Sequence, residues 1–193
     1  MSRVKTATKQ ETILEAASHV FAAKEFHRVL IDDVAAEAGI GKGTVYRYFQ
    51  TKEDLYFSTI LRGLDRLHEI LSAALPQEPS PVARLERIAR ETLSFFWNQR
   101  SLLMLLYREE KRMTARREEF RVRRDRILRL VQETLVQGIG RREFRGVDAR
   151  ISAEMFLGMI RGVNLFRRED DKLNKLVSEV MAAFTHGIAR RGA

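Results

Sequence analysis

The chain has 193 residues, 45% of them hydrophobic, so it can bury a substantial core and can hold a small domain followed by a larger one. It has no cysteine, which excludes a disulfide scaffold and a thiolate zinc site. The longest aliphatic run, residues 102–106, is far too short to cross a bilayer, and the polar start of the chain leads into no apolar stretch. These features predict a cytoplasmic protein with no membrane segment.

The formal net charge of +9 is unevenly distributed along the chain. Residues 1–55 carry eight basic and eight acidic side chains, whereas residues 56–193 carry 27 basic and 18 acidic ones. Because the first segment has no net charge, any contact it makes with a polyanion must depend on where its basic groups lie.

Residues 31–55 contain the most informative pattern, which predicts two short helices meeting at a glycine turn. Val34 and Ala35 form the inner face of the first helix, Gly39 tolerates the positive φ at which that helix must stop, and Val45 anchors the second helix. This spacing is typical of a helix-turn-helix.

The polar face of this helix pair has the chemistry of a nucleic-acid-binding surface. Its second helix starts with free backbone N–H groups and a partial positive charge that suit a phosphate. Hydroxyl, phenol and basic side chains on the same face can reach phosphates or base edges. The alternative is a helical hairpin whose tyrosines pack on their own domain. The predicted DNA-binding residues are Lys42, Gly43, Thr44, Tyr46, Arg47, Tyr48 and Lys52.

Residues 8–55 resemble the DNA-binding domain of TetR-family transcriptional regulators. Residues 38–49, AGIGKGTVYRYF, resemble the recognition segment of the family almost letter for letter, and residues 52–55, KEDL, complete the pattern. The resemblance implies a homodimer that binds a palindromic double-stranded DNA operator and whose other domain binds a small-molecule effector. It also implies a repressor, since effector binding usually releases DNA in this family. The first helix contributes Thr8, Ile13, Leu14, Ala16, Ala17 and Phe21 to the resemblance.

Two positions depart from the family pattern. Glu25 replaces a usual glycine, so this residue either adopts a turn conformation at a steric cost or the first helix ends differently. Leu30 replaces a usual threonine or serine, so the side-chain cap of the second helix is missing, and Asp32 or Asp33 could substitute for it. Asp32 could also repel phosphate.

The remaining sequence predicts further helices. Apolar spacing with a period of 3.6 covers residues 55–71, stops at a proline-containing linker and resumes over 82–97. Ser101 is expected to cap a helix ending near Arg112, and another helix covers 116–137. A loop is then expected before the last two helices, and its markers are Gly138, Gly140 and Gly146.

The last two predicted helices carry apolar stripes suited to a dimer surface. Two glycines four residues apart would let another helix approach closely, and the final helix keeps near-heptad spacing, so two copies could close a four-helix bundle. The alternative is that the stripes face the core of the monomer. The predicted interface residues are Met155, Gly158, Met159, Gly162, Phe166, Leu173, Val177, Val180 and Phe184.

Aromatic, methionine and arginine residues of the middle helices are candidates for the effector site. Core packing is the alternative for the apolar ones. The arginine pair 123–124 interrupts an apolar stripe, so these side chains either reach solvent or pair with Glu119 or Asp125, or one of them meets an anionic ligand group. The effector is expected to be mostly apolar, with a possible acidic group. The predicted ligand-binding residues are Phe96, Trp97, Met104, Tyr107, Phe120, Arg123, Arg124 and Phe156.

Two other classes of function compete with this interpretation. An enzyme is disfavoured because the four histidines are scattered and His68-Glu69 lacks the second histidine of a zinc-protease helix, so no catalytic site, metal site or cofactor is predicted. A non-specific architectural DNA-binding protein would require the basic helix at 116–129 to be exposed and free of acidic partners.

The sequence thus predicts an all-α protein with two domains. Residues 1–55 are expected to form a three-helix helix-turn-helix DNA-binding domain. Residues 56–193 are expected to form a helical domain for effector binding and dimerisation.

Overall fold

The structure is a computed structural model that describes residues 2–109 and 116–188, with side chains for 9–107 and 116–187. Over these residues it confirms the all-α prediction. Within them, no helix is long and apolar enough to cross a membrane. Short 3₁₀ turns cover Phe26–Arg28 and Leu75–Gln77. The α-helices of the described residues are α1 (Ser2–Ala23), α2 (Ile31–Glu37), α3 (Lys42–Tyr48), α4 (Lys52–Ala74), α5 (Pro81–Asn98), α6 (Arg100–Glu109), α7 (Arg117–Gly140), α8 (Ala149–Phe166) and α9 (Leu173–Ile188).

The described residues divide into two compact units, each of which is discontinuous in sequence. The first unit holds residues 2–64 with 99–109 and 116–120, and the second holds 65–98 with 121–188. A functional division after residue 55 stays a prediction.

The first unit is built around a core in which α1 packs on α2 and α6. Phe21 is 1% exposed, and its ring meets the edge of Tyr56 with centroids 4.8 Å apart. Phe26 lies 5.1 Å from the same tyrosine ring, so the 3₁₀ turn after α1 is fixed to α4 by aromatic contacts. Burial of a phenylalanine of this kind contributes about 2–3 kcal/mol. The fully buried residues of this core include Ile13, Ala17, Val29, Val34, Val45, Leu55, Ile60 and Leu105.

The glycine turn between α2 and α3 forms as the sequence predicts. Gly39 has φ of +64°, in the left-handed region that a side chain disfavours. The N–H of Ile40 donates to the carbonyl of Ala35 at 2.9 Å, and the N–H of Gly39 donates to Ala36 at 3.1 Å. These two bonds are those of a Schellman motif, which satisfies the last carbonyls of α2 and sets the start of α3.

In the second unit α5 packs on both α8 and α9. The rings of Phe156 on α8 and Phe184 on α9 lie 4.7 Å apart and are buried. Asp148 caps α8, since its carboxylate accepts a hydrogen bond from the Ile151 N–H at 2.8 Å.

Two expectations about helix ends were wrong. Ser101 lies inside α6, which begins at Arg100, and the expected end near Arg112 falls outside the described residues. Gly138 and Gly140, which were expected to mark a loop, both lie in α7, whereas Gly146 follows the helix as expected. The ring of Phe144 packs against Gly138. A Cβ at Gly138 would stand 2.2 Å from that ring, so the close approach of the ring explains why this residue is a glycine.

Candidate nucleic-acid interface

The α3 face presents most of the predicted DNA-binding residues to solvent. Val45 and Phe49 are buried and hold the helix on the core of the first unit. Tyr46 is 44% exposed although it is a large aromatic residue, and the Arg47 guanidinium lies 5.5 Å from the Tyr48 ring. Of the other predicted contacts on this helix, Lys42 and Gly43 are exposed and Thr44 is half-buried. The face can therefore meet a ligand without rearrangement of the core.

Lys42 is held by a carboxylate of the preceding helix. Its Nζ donates to Asp32 Oδ2 at 2.7 Å, and both side chains are about half exposed. This hydrogen bond raises the pKa of Lys42, because the Asp32 carboxylate stabilises the charged ammonium.

Lys52 has internal partners that the sequence did not indicate. Its Nζ donates to the carbonyl of Val29 at 3.0 Å and reaches that of His27 at 3.5 Å. The same ammonium lies 4.6 Å from the centre of the Phe26 ring. Lys52 thus joins the start of α4 to the turn that leads into α2. Its predicted phosphate contact stays a prediction.

The missing cap at Leu30 is replaced by Asp33. The Asp33 carboxylate accepts the Leu30 N–H at 3.0 Å and also binds Lys24 at 2.8 Å. The Lys24 hydrogen bond, followed by the Leu30 N–H, holds the pKa of Asp33 below its usual range. Because a leucine side chain has no acceptor, this is half of a capping box, in which the third helical residue bonds back to the cap.

Glu25 is accommodated without strain. Its φ of −69° and ψ of 144° are extended, because α1 ends at Ala23 and a 3₁₀ turn starts at Phe26. Glu25 therefore does not adopt a strained turn conformation, and the first helix instead ends before it, at Ala23.

The arginine pair of α7 is engaged by carboxylates of other helices. Arg123 Nε donates to Asp65 Oδ2 at 2.9 Å, and Arg124 Nη1 donates to Glu154 Oε1 at 3.0 Å. These partners lie far away in sequence and were not predicted. The basic helix therefore has acidic partners, which removes the main support for an architectural DNA-binding role.

The predicted effector-site residues fall in both compact units. In the second unit, Phe96 and Phe156 are buried, and Trp97 lies under the guanidinium of Arg167 at 3.9 Å. In the first unit, Tyr107 is 52% exposed, Met104 is half-buried, and Phe120 packs against the core. Their role in binding a ligand stays a prediction.

The predicted dimer residues separate into an exposed and a buried group. On α8, Met155 is 60% exposed and Phe166 is 77% exposed, and Cβ atoms added at Gly158 and Gly162 would meet nothing within 4 Å. Met159 and Leu173 are half-buried. The other α9 residues of the predicted interface are buried within the monomer, and their role at a dimer interface stays a prediction. These residues are Val177, Val180 and Phe184.

Two family models match the chain. Residues 13–59 match the model for bacterial regulatory proteins of the tetR family, and residues 78–165 match the tetracyclin repressor-like C-terminal domain.

Relatives and solved structures agree with these matches. The chain is 24% identical over 157 residues to the fatty acid metabolism regulator protein of Bacillus subtilis (strain 168), covering 79% of each chain. It resembles the crystal structure of the transcriptional regulator FadR from Bacillus subtilis in complex with stearoyl-CoA, with a TM-score of 0.81 and 22% identity over 92% of this chain and 98% of that one. It also resembles AibR in complex with isovaleryl coenzyme A and operator DNA, with a TM-score of 0.78 and 20% identity over 91% and 97% of the two chains.

At these identities the structural likeness establishes the shared fold, and the family models supply the link to function. The chain belongs to the TetR family and is a ligand-responsive, DNA-binding transcriptional regulator that acts as a homodimer, not an enzyme.

Proposed function

We propose that this regulator is a cytoplasmic repressor that leaves a palindromic operator when an acyl thioester of coenzyme A binds its helical domain. The observation that carries the proposal is the likeness of nearly the whole chain to regulators whose names or bound ligands concern fatty acids and coenzyme A thioesters.

The charge and apolar content of the chain support this class of effector. A coenzyme A thioester joins an apolar acyl chain to anionic phosphates. Residues 56–193 hold both the aromatic-rich helices and the whole basic excess of the chain. Since Arg123 and Arg124 are ion-paired, an anionic group that reached them would have to exchange with Asp65 or Glu154.

The DNA-facing role falls to the exposed residues of α3. Tyr46 supports this assignment most directly, because a large aromatic side chain that is 44% exposed on a short helix has a surface available for phosphate or base contacts. Lys42, Thr44 and Arg47 lie on the same helix and supply further donors.

The homodimer surface is assigned to α8. Ile151, Met155 and Phe166 are 47%, 60% and 77% exposed, and they align at helical spacing with the open positions Gly158 and Gly162. An apolar stripe of this length on one helix is costly in water and is suited to a copy of itself across a twofold axis. A twofold dimer then presents two α3 helices to the two halves of a palindrome.

The test combines operator selection with effector release. Sequences bound by the full chain are selected from random duplex DNA, and the selected duplex is then challenged with stearoyl-CoA, isovaleryl-CoA, free coenzyme A, stearate and a cationic amphiphile. We expect a palindromic site and release by at least one thioester, with no release by the cationic amphiphile. Release by the cationic amphiphile alone would contradict the proposed effector class, and selection of no palindrome would contradict the operator.

A further inference from the structure

Two adjacent carboxylates at the start of α2 occupy different environments. Asp33 is 29% exposed and is used as a cap, with Leu30 N–H and Lys24 as its partners. Asp32 is 59% exposed and holds Lys42 at 2.7 Å. One carboxylate therefore serves the fold, whereas the other engages a cation of the exposed α3 face.

A DNA phosphate would bind the same Lys42 ammonium that Asp32 binds. Lys42 is the first residue of α3 and its side chain is 49% exposed. A phosphate that approached this ammonium would have to displace Asp32 or accept its negative charge nearby, and both cost binding free energy. Residues 1–55 as a whole carry no net charge, so no excess of basic groups in this segment offsets the negative charge of Asp32.

We propose that Asp32 is an internal counter-ion that limits the affinity of this regulator for DNA of any sequence by occupying Lys42. The proposal rests on the DNA-facing role assigned to α3. Because phosphate contacts carry no sequence information, Asp32 sets the strength of binding and leaves the preference among sequences unchanged. It thereby adds a residue of α2 to those that determine operator affinity.

The central variant is Asp32→Asn, measured against a random-sequence duplex and against the selected operator over a range of monovalent salt. A Lys42 ammonium released to bind phosphate makes the negative slope of log affinity against log salt steeper by about 0.9 per subunit, or about 1.8 per dimer. At 0.1 M salt this corresponds to a gain of up to about eightfold per subunit. We expect the gain on both duplexes, with their affinity ratio unchanged.

Two further variants isolate the pair. Glu37→Gln changes the net charge equally, and its carboxylate is also exposed on α2 but lies beside His19 rather than Lys42. It should change neither slope nor affinity by more than about twofold. Lys42→Gln should weaken binding by itself, because it removes a donor of α3 and leaves Asp32 without its counter-ion, and Asp32→Asn should bring no gain beyond the loss of its own negative charge when Lys42 is already replaced.

The outcomes separate this inference from the assignment of α3. Thermal unfolding of each variant is compared with that of the wild type, and Tyr46→Ala is measured alongside. If Tyr46→Ala weakens binding while Asp32→Asn leaves affinity and slope unchanged or lowers them, the counter-ion role is overturned and α3 keeps its role. If neither Tyr46→Ala nor any of the other variants changes DNA binding, the assignment of α3 to DNA fails first. An equal gain for Glu37→Gln would overturn the local pairing and indicate a general charge effect.

Discussion

Replacing Lys52 by methionine is expected to destabilise the protein by about 2 kcal/mol. Methionine keeps a long apolar side chain but removes the ammonium that bonds to the Val29 carbonyl at 3.0 Å and lies 4.6 Å from the Phe26 ring. A hydrogen bond from a charged donor contributes about 1.5–3 kcal/mol, and a cation–π contact at a partly exposed site about 0.5–1 kcal/mol. The contact with His27 at 3.5 Å adds little, and partial exposure favours the lower end of these ranges.

The assay is unfolding by heat, followed by circular dichroism, together with the salt dependence of operator binding. For a chain of this length, 1 kcal/mol corresponds to about 2–4 °C, so a drop of about 4–8 °C in Tm is expected. Lys9→Met serves as the control, because it removes the same charge from an exposed position of α1 and should change stability by less than about 0.5 kcal/mol. An unchanged Tm, with a salt slope lowered by about 0.9 per subunit, would refute the internal role and place the ammonium on DNA.

Three further predictions concern the cap, the core and the interface. Asp33→Ala should lower Tm at neutral pH, and the difference in Tm from the wild type should shrink as the pH falls below 3.8, the ordinary pKa of an aspartate, because a carboxylate with a lowered pKa loses its stabilising effect when it is protonated. Equal differences in Tm at pH 7 and pH 3 would contradict this prediction. Gly138→Ala should cost about 1–3 kcal/mol in chemical denaturation because its Cβ would collide with the Phe144 ring, whereas an unchanged midpoint would mean that the ring moves aside freely. A side chain at position 162 would meet open space in the monomer, so Gly162→Leu should overpack only the contact with a second copy and shift the dimer toward monomer in sedimentation. Glu133→Leu, an apolar change at an exposed residue of α7, should leave the dimer intact, and the interface assignment fails if both variants stay dimeric.

The features that could be predicted from sequence are those set by neighbours along the chain. The helical spacing, the positive φ at Gly39 and the burial of Val45 beside an exposed Tyr46 all depend on residues a few positions apart. The replacement of the Leu30 cap could also be predicted, because Asp33 lies three residues later, at the position of the acidic residue in a capping box.

The features that could not be predicted join residues that are distant in sequence. Arg123 and Asp65 are 58 residues apart, and Lys52 and Val29 are 23 apart, so no local pattern indicates that they meet. The periodicity of α9 identifies an apolar stripe but does not indicate which part of the protein packs against that stripe. The structure places Val177 and its neighbours against the core of the second unit, which left α8 as the exposed stripe.

The most direct test of a ligand-responsive repressor is the thermodynamic coupling between its two ligands. The Kd of the selected operator is measured with and without saturating acyl thioester, and the Kd of the thioester is measured with and without saturating operator, using stearoyl-CoA and isovaleryl-CoA as probes. We expect each ligand to weaken the other by the same factor, about 5- to 150-fold, because coupling between two sites is reciprocal. A thioester that binds the protein while leaving the operator Kd unchanged, or the failure of both thioesters to bind, would contradict the proposed repressor mechanism.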